Sequence, residues 1–320
     1  MAICAILFLS GCQKEQSFDA QFSSFPVNLD MLNTAYNDYN SNIGPGRRMQ
    51  ITFSSDRNGE GHFDFVVKRL DMEYQEDNGE LLMANVDYDT ETVMYAIVEE
   101  VNTEYNEFGP HTVTDGERLY LMYANDQSGN LDIRYLICEE TQSEQMYFNN
   151  QSLSDAGGIS RINTEFNEAY PCIDNSTFYY CTDRFGDYDI GFTGIDQAFI
   201  DWLQESDSLN FEYPDHINSS ADDKCPFVVG NLMVFTSNRE GGYGGYDLYY
   251  CCLDEEGQWS EPVNFGPEIN SEADEFRPVV SPFGDFENDM MIFSSNREGG
   301  YGGFDLYYVG ISKMINLQGY

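Results

Sequence analysis

Residues 236–250 (Thr-Ser-Asn-Arg-Glu-Gly-Gly-Tyr-Gly-Gly-Tyr-Asp-Leu-Tyr-Tyr) return almost letter for letter at residues 294–308, 58 positions later. A repeat of that period marks a stacked or circular architecture, because one such hairpin cannot bury its apolar face alone. Each copy reads as an apolar strand, a glycine-rich turn opened by Ser-Asn-Arg, and a second strand beginning at Asp. The glycines are expected to reach positive φ as turn formers. A phosphate-cradling loop would need a helix behind it, which this pattern lacks.

A second signature precedes each hairpin and extends the count to five. It reads Leu32-Asn33-Thr34, Val101-Asn102-Thr103, Ile162-Asn163-Thr164, Ile217-Asn218-Ser219 and Ile269-Asn270-Ser271. Four and five residues after each Asn stands a polar-acidic pair: Asn37-Asp38, Asn106-Glu107, Asn167-Glu168, Asp222-Asp223 and Asp274-Glu275. Eight after it comes Pro110, Pro171, Pro226 or Pro278, with Ser41 in the first copy. The Asn-to-Asn steps of 69, 61, 55 and 52 show loop insertions on a constant frame. The third strand of each copy opens at Asp64, Asp132, Asp189, Asp247 or Asp305, and residues 258–265 supply a fourth.

Four short strands per unit of this size make the blade of a β-propeller. The last copy ends at its third strand, while Phe25-Pro-Val-Asn-Leu29 echoes Glu261-Pro-Val-Asn-Phe265. The N-terminal strand should therefore complete the final blade and close the ring, leaving no long edge. The expected fold is all-β, a propeller over residues 25–320. It has five blades, or six if residues 81–98 form a degenerate one.

The charge limits the partners. With 56 acidic against 15 basic side chains the net charge is −41, a field that repels phosphate backbones and anionic head groups. Nucleic acid is excluded as a partner on this ground, and the membrane except through a lipid anchor. An envelope protein or a glycan remains. Cofactors are not expected, apart from Ca²⁺ as a minor alternative; the loop at residues 87–91 has some calcium-loop spacing without the required glycine and terminal Glu. The scattered His62, His111 and His216 and the lack of Cys-x-x-Cys argue against zinc.

The apolar stretch before Leu9-Ser10-Gly11-Cys12 is too short to span a bilayer and long enough for the apolar part of a secretory signal. Leu-Ser-Gly-Cys resembles the lipobox of bacterial lipoproteins. The resemblance implies a signal over residues 1–11 whose basic start is missing, lipidation at Cys12, and a linker over residues 12–24. The expected place is the outer membrane, facing the periplasm or the cell surface. Six cysteines remain. Cys138, Cys181, Cys251 and Cys252 sit in strand-like runs as small hydrophobes, and Cys172 and Cys181 flank a turn across which a disulfide is an option.

The wording Pro-Val-Asn-Phe-Gly, Ile-Asn-Ser-x-Ala-Asp-Glu-x-x-Pro and Ser-Asn-Arg-x-Gly-Gly-Tyr-Gly-Gly-Tyr-Asp-Leu-Tyr resembles the WD-like β-propeller repeat of TolB-type envelope proteins. The match covers residues 25–320 and is weakest in the second copy, where Asn125-Asp126-Gln127 departs from Asn-Arg. The resemblance implies a protein-binding or scaffolding module of the bacterial envelope. The family's peptidoglycan-binding domain resembling OmpA does not follow, so direct wall attachment is not expected.

Within that frame the repeated Arg57, Arg184, Arg239 and Arg297 should pair with acids of the same or the adjacent blade, the strand-opening Asp being one choice. Asp38, Glu107, Glu168, Asp223 and Glu275 precede first strands and should ring one mouth of the channel. Such a ring would hold Ca²⁺, a Lys or Arg side chain or an amino terminus; alternatively each carboxylate serves its own blade by accepting hydrogen bonds. A non-catalytic envelope scaffold is the expected function. The alternative is a carbohydrate-binding or glycoside-hydrolysing five-bladed propeller, which would need two carboxylates in unlike environments. The insertions at residues 81–98 and 199–208 are the expected partner contacts.

Overall fold

The computed structural model describes residues 20–44, 49–75, 80–86, 93–139, 152–284 and 286–314. After a short strand β1 (Val27–Asn28), the first blade contains β2 (Asp38–Ile43), β3 (Met49–Ser55), β4 (Asp64–Gln75) and β5 (Glu80–Val86). Helix α1 (Val93–Val101) leads to the second blade, β6 (Glu107–Thr114), β7 (Arg118–Asn125), β8 (Asp132–Glu139) and β9 (Gly157–Gly158). The third holds β10 (Glu168–Asp174), β11 (Thr177–Thr182) and β12 (Asp189–Gly194), followed by α2 (Phe199–Gln204). The fourth is β13 (Asp223–Val229), β14 (Leu232–Ser237), β15 (Asp247–Cys252) and β16 (Val263–Asn264). The fifth joins β17 (Glu275–Ser281), β18 (Asn288–Ser295) and β19 (Asp305–Ser312) to β1. All pairings inside the blades are antiparallel.

Five blades form the ring, and its closure is the expected one. Val27 lies opposite Tyr308 and Asn28 opposite Tyr307; Leu29 N–H donates to Leu306 C=O at 2.9 Å. The residues expected to form a linker already pack on this blade from residue 20 onward. Phe22 stacks on Phe286 at 4.3 Å between ring centroids, and Gly310 N–H donates to Ser23 C=O.

Two details differ from the expected four-stranded frame. Residues 81–98 add no sixth blade among the described residues: residues 81–86 belong to β5, the outer strand of blade one, and residues 93–98 to α1. Blade three has three strands, and an isolated bridge between Phe192 and Glu212 takes the outer position. The cores lie between neighbouring blades. Leu119, Leu121 and Tyr123 of β7 pack with Phe65 of β4 and with Val93, Ile97 and Val101 of α1, while Tyr120 and Met122 turn to Phe178 and Tyr180 of β11. Period-two alternation thus sends one strand's side chains to both neighbours. No helix among the described residues is long and apolar enough to cross a membrane.

Candidate functional site

Each blade boundary is fastened by the repeated Asn. Asn33, Asn102, Asn163, Asn218 and Asn270 each accept from a backbone N–H and donate to the C=O of one residue in the preceding blade's third strand: Leu306, Phe65, Ile133, Ile190 and Leu248. One amide therefore closes a two-way clamp, its NH2 donating and its C=O accepting, whereas an ionised Asp has acceptors alone and a Ser must serve both partners from a single oxygen. Five residues on, the backbone N–H of each repeated acid donates to the C=O of the residue just before the preceding blade's Asp: Phe304, Phe63, Leu131, Tyr188 and Tyr246.

The five acids occupy equivalent places but do not present an open ring. Asp38, Glu107, Glu168, Asp223 and Glu275 are all 0% exposed. Each accepts hydrogen bonds from its own blade: Asp38 from Thr34, Ser55 and Arg57; Glu168 from Thr164, Thr182 and Arg184; Glu275 from Ser271, Ser295 and Arg297. Asp223 takes Ser219 and Arg239. Four of these carboxylates are engaged inside their own blade and all five are covered, so they do not face solvent as a set of open oxygens.

This fixes the arginine partners too. Arg57 meets Asp38 at 2.6 Å, Arg184 meets Glu168 at 3.0 Å and Arg297 meets Glu275 at 2.9 Å. The partner is the acid that begins the first strand of the same blade, not the Asp that opens the third. Arg57, Arg239 and Arg297 also donate to Leu32, Ile217 and Ile269 carbonyls and lie over the rings of Phe53, Phe235 and Phe293. The strand-opening acids instead organise turns. Asp247 accepts from the N–H groups of Tyr243 and Gly244, and Asp305 from those of Tyr301 and Gly302. Asp64 has Asn58 and His62 beside it, burial pushes Asp189 up to about 6, and Asp132 opens β8 opposite Asn125.

Blade two breaks the pattern. Gln127 stands where the other blades carry Arg, and no ion pair reaches Glu107 among the described residues. Thr103 and Asn125 donate to its Oε1 at 2.7 and 2.8 Å, while its Oε2 has no partner. Burial pushes this carboxyl up from 4.5 to about 7, against the opposing hydrogen bonds from Thr103 and Asn125. The equivalence of the repeated acids is therefore lost at one of them.

The same face of the ring holds a group of aromatic side chains that the repeat signatures left unread. First strands begin there and the hairpins between second and third strands turn there. The residue after each acid and the residue before each strand-opening Asp point into one arc. Tyr39 contacts Phe63 at 5.0 Å, Phe108 at 5.8 Å and Phe304 at 5.6 Å. Phe276 contacts Phe304 at 6.4 Å and Tyr246 at 5.3 Å. Lys224 Nζ then bridges Tyr246 and Tyr188, 5.0 and 4.4 Å from their centroids, and pairs with Asp222 at 2.9 Å. Tyr246 also donates to Asp222, and the hydrogen bonds of Tyr246 and Lys224 hold that carboxyl below its usual range although burial acts in the opposite direction. Outside the arc, Tyr36, Phe166, Phe185, Tyr243 and Tyr301 are exposed. The signal was present in the sequence: four of the five residues before the strand-opening Asp are aromatic, Leu131 being the fifth.

Below this mouth, every innermost strand carries a bulge. Asn40, Gly109, Tyr170, Cys225 and Arg277, each two residues after the acid, have φ of 57, 59, 55, 55 and 50°. Four of them are not glycine, so the left-handed backbone is held against its intrinsic cost by pairing with the second strand before and after the bulge.

The insertions contribute packing. Trp202 and Leu203 of α2 are buried against Phe178 and Tyr180, and α1 buries Val93, Met94, Ile97 and Val98. Their apolar faces are spent on the blades. On the opposite end of the ring a cleft of about 210 Å³ lies between blades two and three, lined by Asp115, Ile173 and Phe199. Cys172 and Cys181 are both free, and their thiols hydrogen-bond to different carbonyls, Val228 and Ala169. The disulfide option is thereby closed: Cys172 lies opposite Tyr179 and Cys181 opposite Ala169 in the same ladder. Cys12 and residues 87–91 lie outside the described residues.

No protein-family model and no curated protein matches the sequence. Solved structures do resemble it. A thermostable family-43 glycoside hydrolase is 12% identical with a TM-score of 0.50, over 85% of this chain and 88% of that one. The Trypanosoma rangeli sialidase in complex with the inhibitor DANA is 9% identical with a TM-score of 0.46, over 89% of this chain and 59% of that one. A putative TolB from Agrobacterium tumefaciens is 15% identical with a TM-score of 0.43, over 92% of both chains. The present chain thus spans 59% of the length of the sialidase. At these identities the likeness is one of fold.

The expectation of a non-catalytic scaffold that is not an enzyme is corrected: the family-43 glycoside hydrolase shows that this fold carries catalysis in a similar structure. That expectation leaned on the equivalence of the repeated acids. Equivalence fails at Glu107 for a physical reason, the loss of the arginine that neutralises the other four.

Proposed function

We propose that the protein acts on carbohydrate, as a glycoside-hydrolysing propeller that receives its sugar at the aromatic mouth. The observation that carries this reading is the arc of Tyr39, Phe63, Phe108, Phe276, Phe304, Tyr246 and Tyr188, with five exposed rings outside it. Sugar C–H faces stack on such rings, and Asp222 and Lys224 stand among them to hydrogen-bond hydroxyl groups. The net charge of −41 favours a neutral glycan over an anionic one.

Hydrolysis needs one carboxyl protonated and another ionised. Glu107, raised to about 7, is the proton donor of this reading, and Asp222, held low by Tyr246 and Lys224 against burial, is the ionised group. Because Glu107 is fully covered, the side chains around it must move to admit the sugar. Reducing-end release from a panel of neutral oligosaccharides tests the reading. Glu107→Gln is expected to lower kcat at least about 100-fold, whereas Tyr246→Ala raises KM. Sugar binding with no hydrolysis by the wild type would remove the catalytic half; absence of both would overturn the reading.

We also propose, on the wording of the repeats and of Leu9-Ser-Gly-Cys12, that this is a TolB-type repeat chain tethered to the outer membrane through Cys12. Labelling with a radioactive fatty acid should mark the wild type and not Cys12→Ala.

A further inference from the structure

The channel beneath the mouth contains a positive charge that the sugar reading does not use. Arg277 of blade five is 0% exposed and crosses the axis. Its Nη2 donates to Pro110 C=O of blade two at 3.2 Å, its Nη1 approaches Pro226 C=O of blade four at 3.5 Å, and its guanidinium lies 5.7 Å from the Tyr170 ring of blade three. No carboxylate forms an ion pair with it among the described residues. The acid two positions earlier, Glu275, is engaged by Arg297, Ser271 and Ser295. A buried guanidinium without a counter-charge is costly.

Other buried polar groups of the innermost strands are also unsatisfied, and most are donors. Arg277 Nε has no partner. His111 follows the Pro110 whose carbonyl Arg277 holds; its Nε2 accepts from Ile173 N–H at 3.0 Å, which puts the ring proton on Nδ1, and Nδ1 is unpartnered. Burial, reinforced by Arg277, pushes His111 down to about 3, so the ring is neutral. Asn40 occupies the position of Arg277 in the adjacent blade one, with both ends of its amide unpartnered, and the Ser41 hydroxyl beside it is unpartnered too. All four residues are buried.

We propose that the channel binds a small monovalent anion of chloride size, held by the Nε–H of Arg277 with the Nδ1–H of His111, the Asn40 amide and the Ser41 hydroxyl. Water would satisfy the donors but leave the guanidinium charge uncompensated. A cation is repelled by Arg277, and an anion carrying a bulky body cannot enter a fully covered site. The site is independent of carbohydrate binding at the mouth.

Thermal unfolding of the whole chain in sodium chloride and in sodium gluconate, at equal ionic strength, tests the proposal. Chloride is expected to raise the melting temperature with the logarithm of its concentration, by about 3–5 °C at a hundredfold excess over its Kd. Asn40→Asp should abolish that rise, because it supplies an internal carboxylate at a position whose φ of 57° Asp tolerates. In crystals of the wild type soaked in bromide, anomalous scattering should show an ion at hydrogen-bond distance from Arg277 Nε. Chloride and gluconate curves that coincide, an undiminished chloride effect in Asn40→Asp, or bromide found only elsewhere would each overturn the proposal.

Discussion

At Glu107 the blade loses its arginine, and a pH dependence follows. The carboxyl titrates near 4.5 when unfolded and at about 7 when folded, so between those values the folded protein binds the proton more tightly. The stability it contributes is therefore complete below about pH 4.5 and is lost as pH rises through 7. His111 acts oppositely: lowered to about 3 by burial, it costs stability as pH falls below 6.5. The difference between wild type and Glu107→Gln thus isolates the acid. Melting curves from pH 4 to pH 9 should show the variant gaining on the wild type across the rise to pH 7; parallel curves would reject the assignment. Gln127→Arg should supply the missing partner, stabilise the fold above pH 7, and remove any hydrolysis that depends on a protonated Glu107. The departure at Gln127 is visible in the sequence, but the raised carboxyl is not, because desolvation depends on what packs around it.

At the scale of the element, glycines with the same appearance in the repeat do two jobs. Gly241 and Gly299 adopt φ of 92 and 95°, as expected of turn formers. Gly244 and Gly302 do not: a Cβ on Gly302 would collide with Tyr36 C=O of blade one, and one on Gly244 with Ala273 C=O of blade five. These glycines let one blade's hairpin lie against the backbone of the next. Gly241→Ala should cost about 1–2 kcal/mol, and Gly302→Ala more than about 3 kcal/mol because backbone must move. Urea titration of the two variants checks that order; equal losses would refute the distinction. The Asn clamp belongs to the same scale. Asn163→Ala removes both bonds to Ile133 and is expected to cost about 2–3 kcal/mol in the same titration.

At the scale of the whole molecule, the ring is held shut by residues 20–29. They give Val27 and Asn28 to the ladder, Asn28 to Asp305, and Phe22 to the core beside Phe286. A chain lacking residues 1–29 should expose the edge of β19 and form oligomers by size-exclusion chromatography; a stable monomer with unchanged urea midpoint would contradict this closure. The count of blades, the closing strand and the positions of the clamps were legible in the sequence, because each blade needs the same groups to fasten to its neighbour and so repeats them. Which acid each arginine meets, the joining of seven rings into one mouth and the reach of Arg277 across the ring to Pro110 were decided only by the tertiary structure. The arginine pairs and the rings recur from blade to blade, but a repeat does not record which recurring groups meet across the ring; Arg277, His111, Asn40 and Ser41 stand where the copies differ, and only circular closure decides what such differences face.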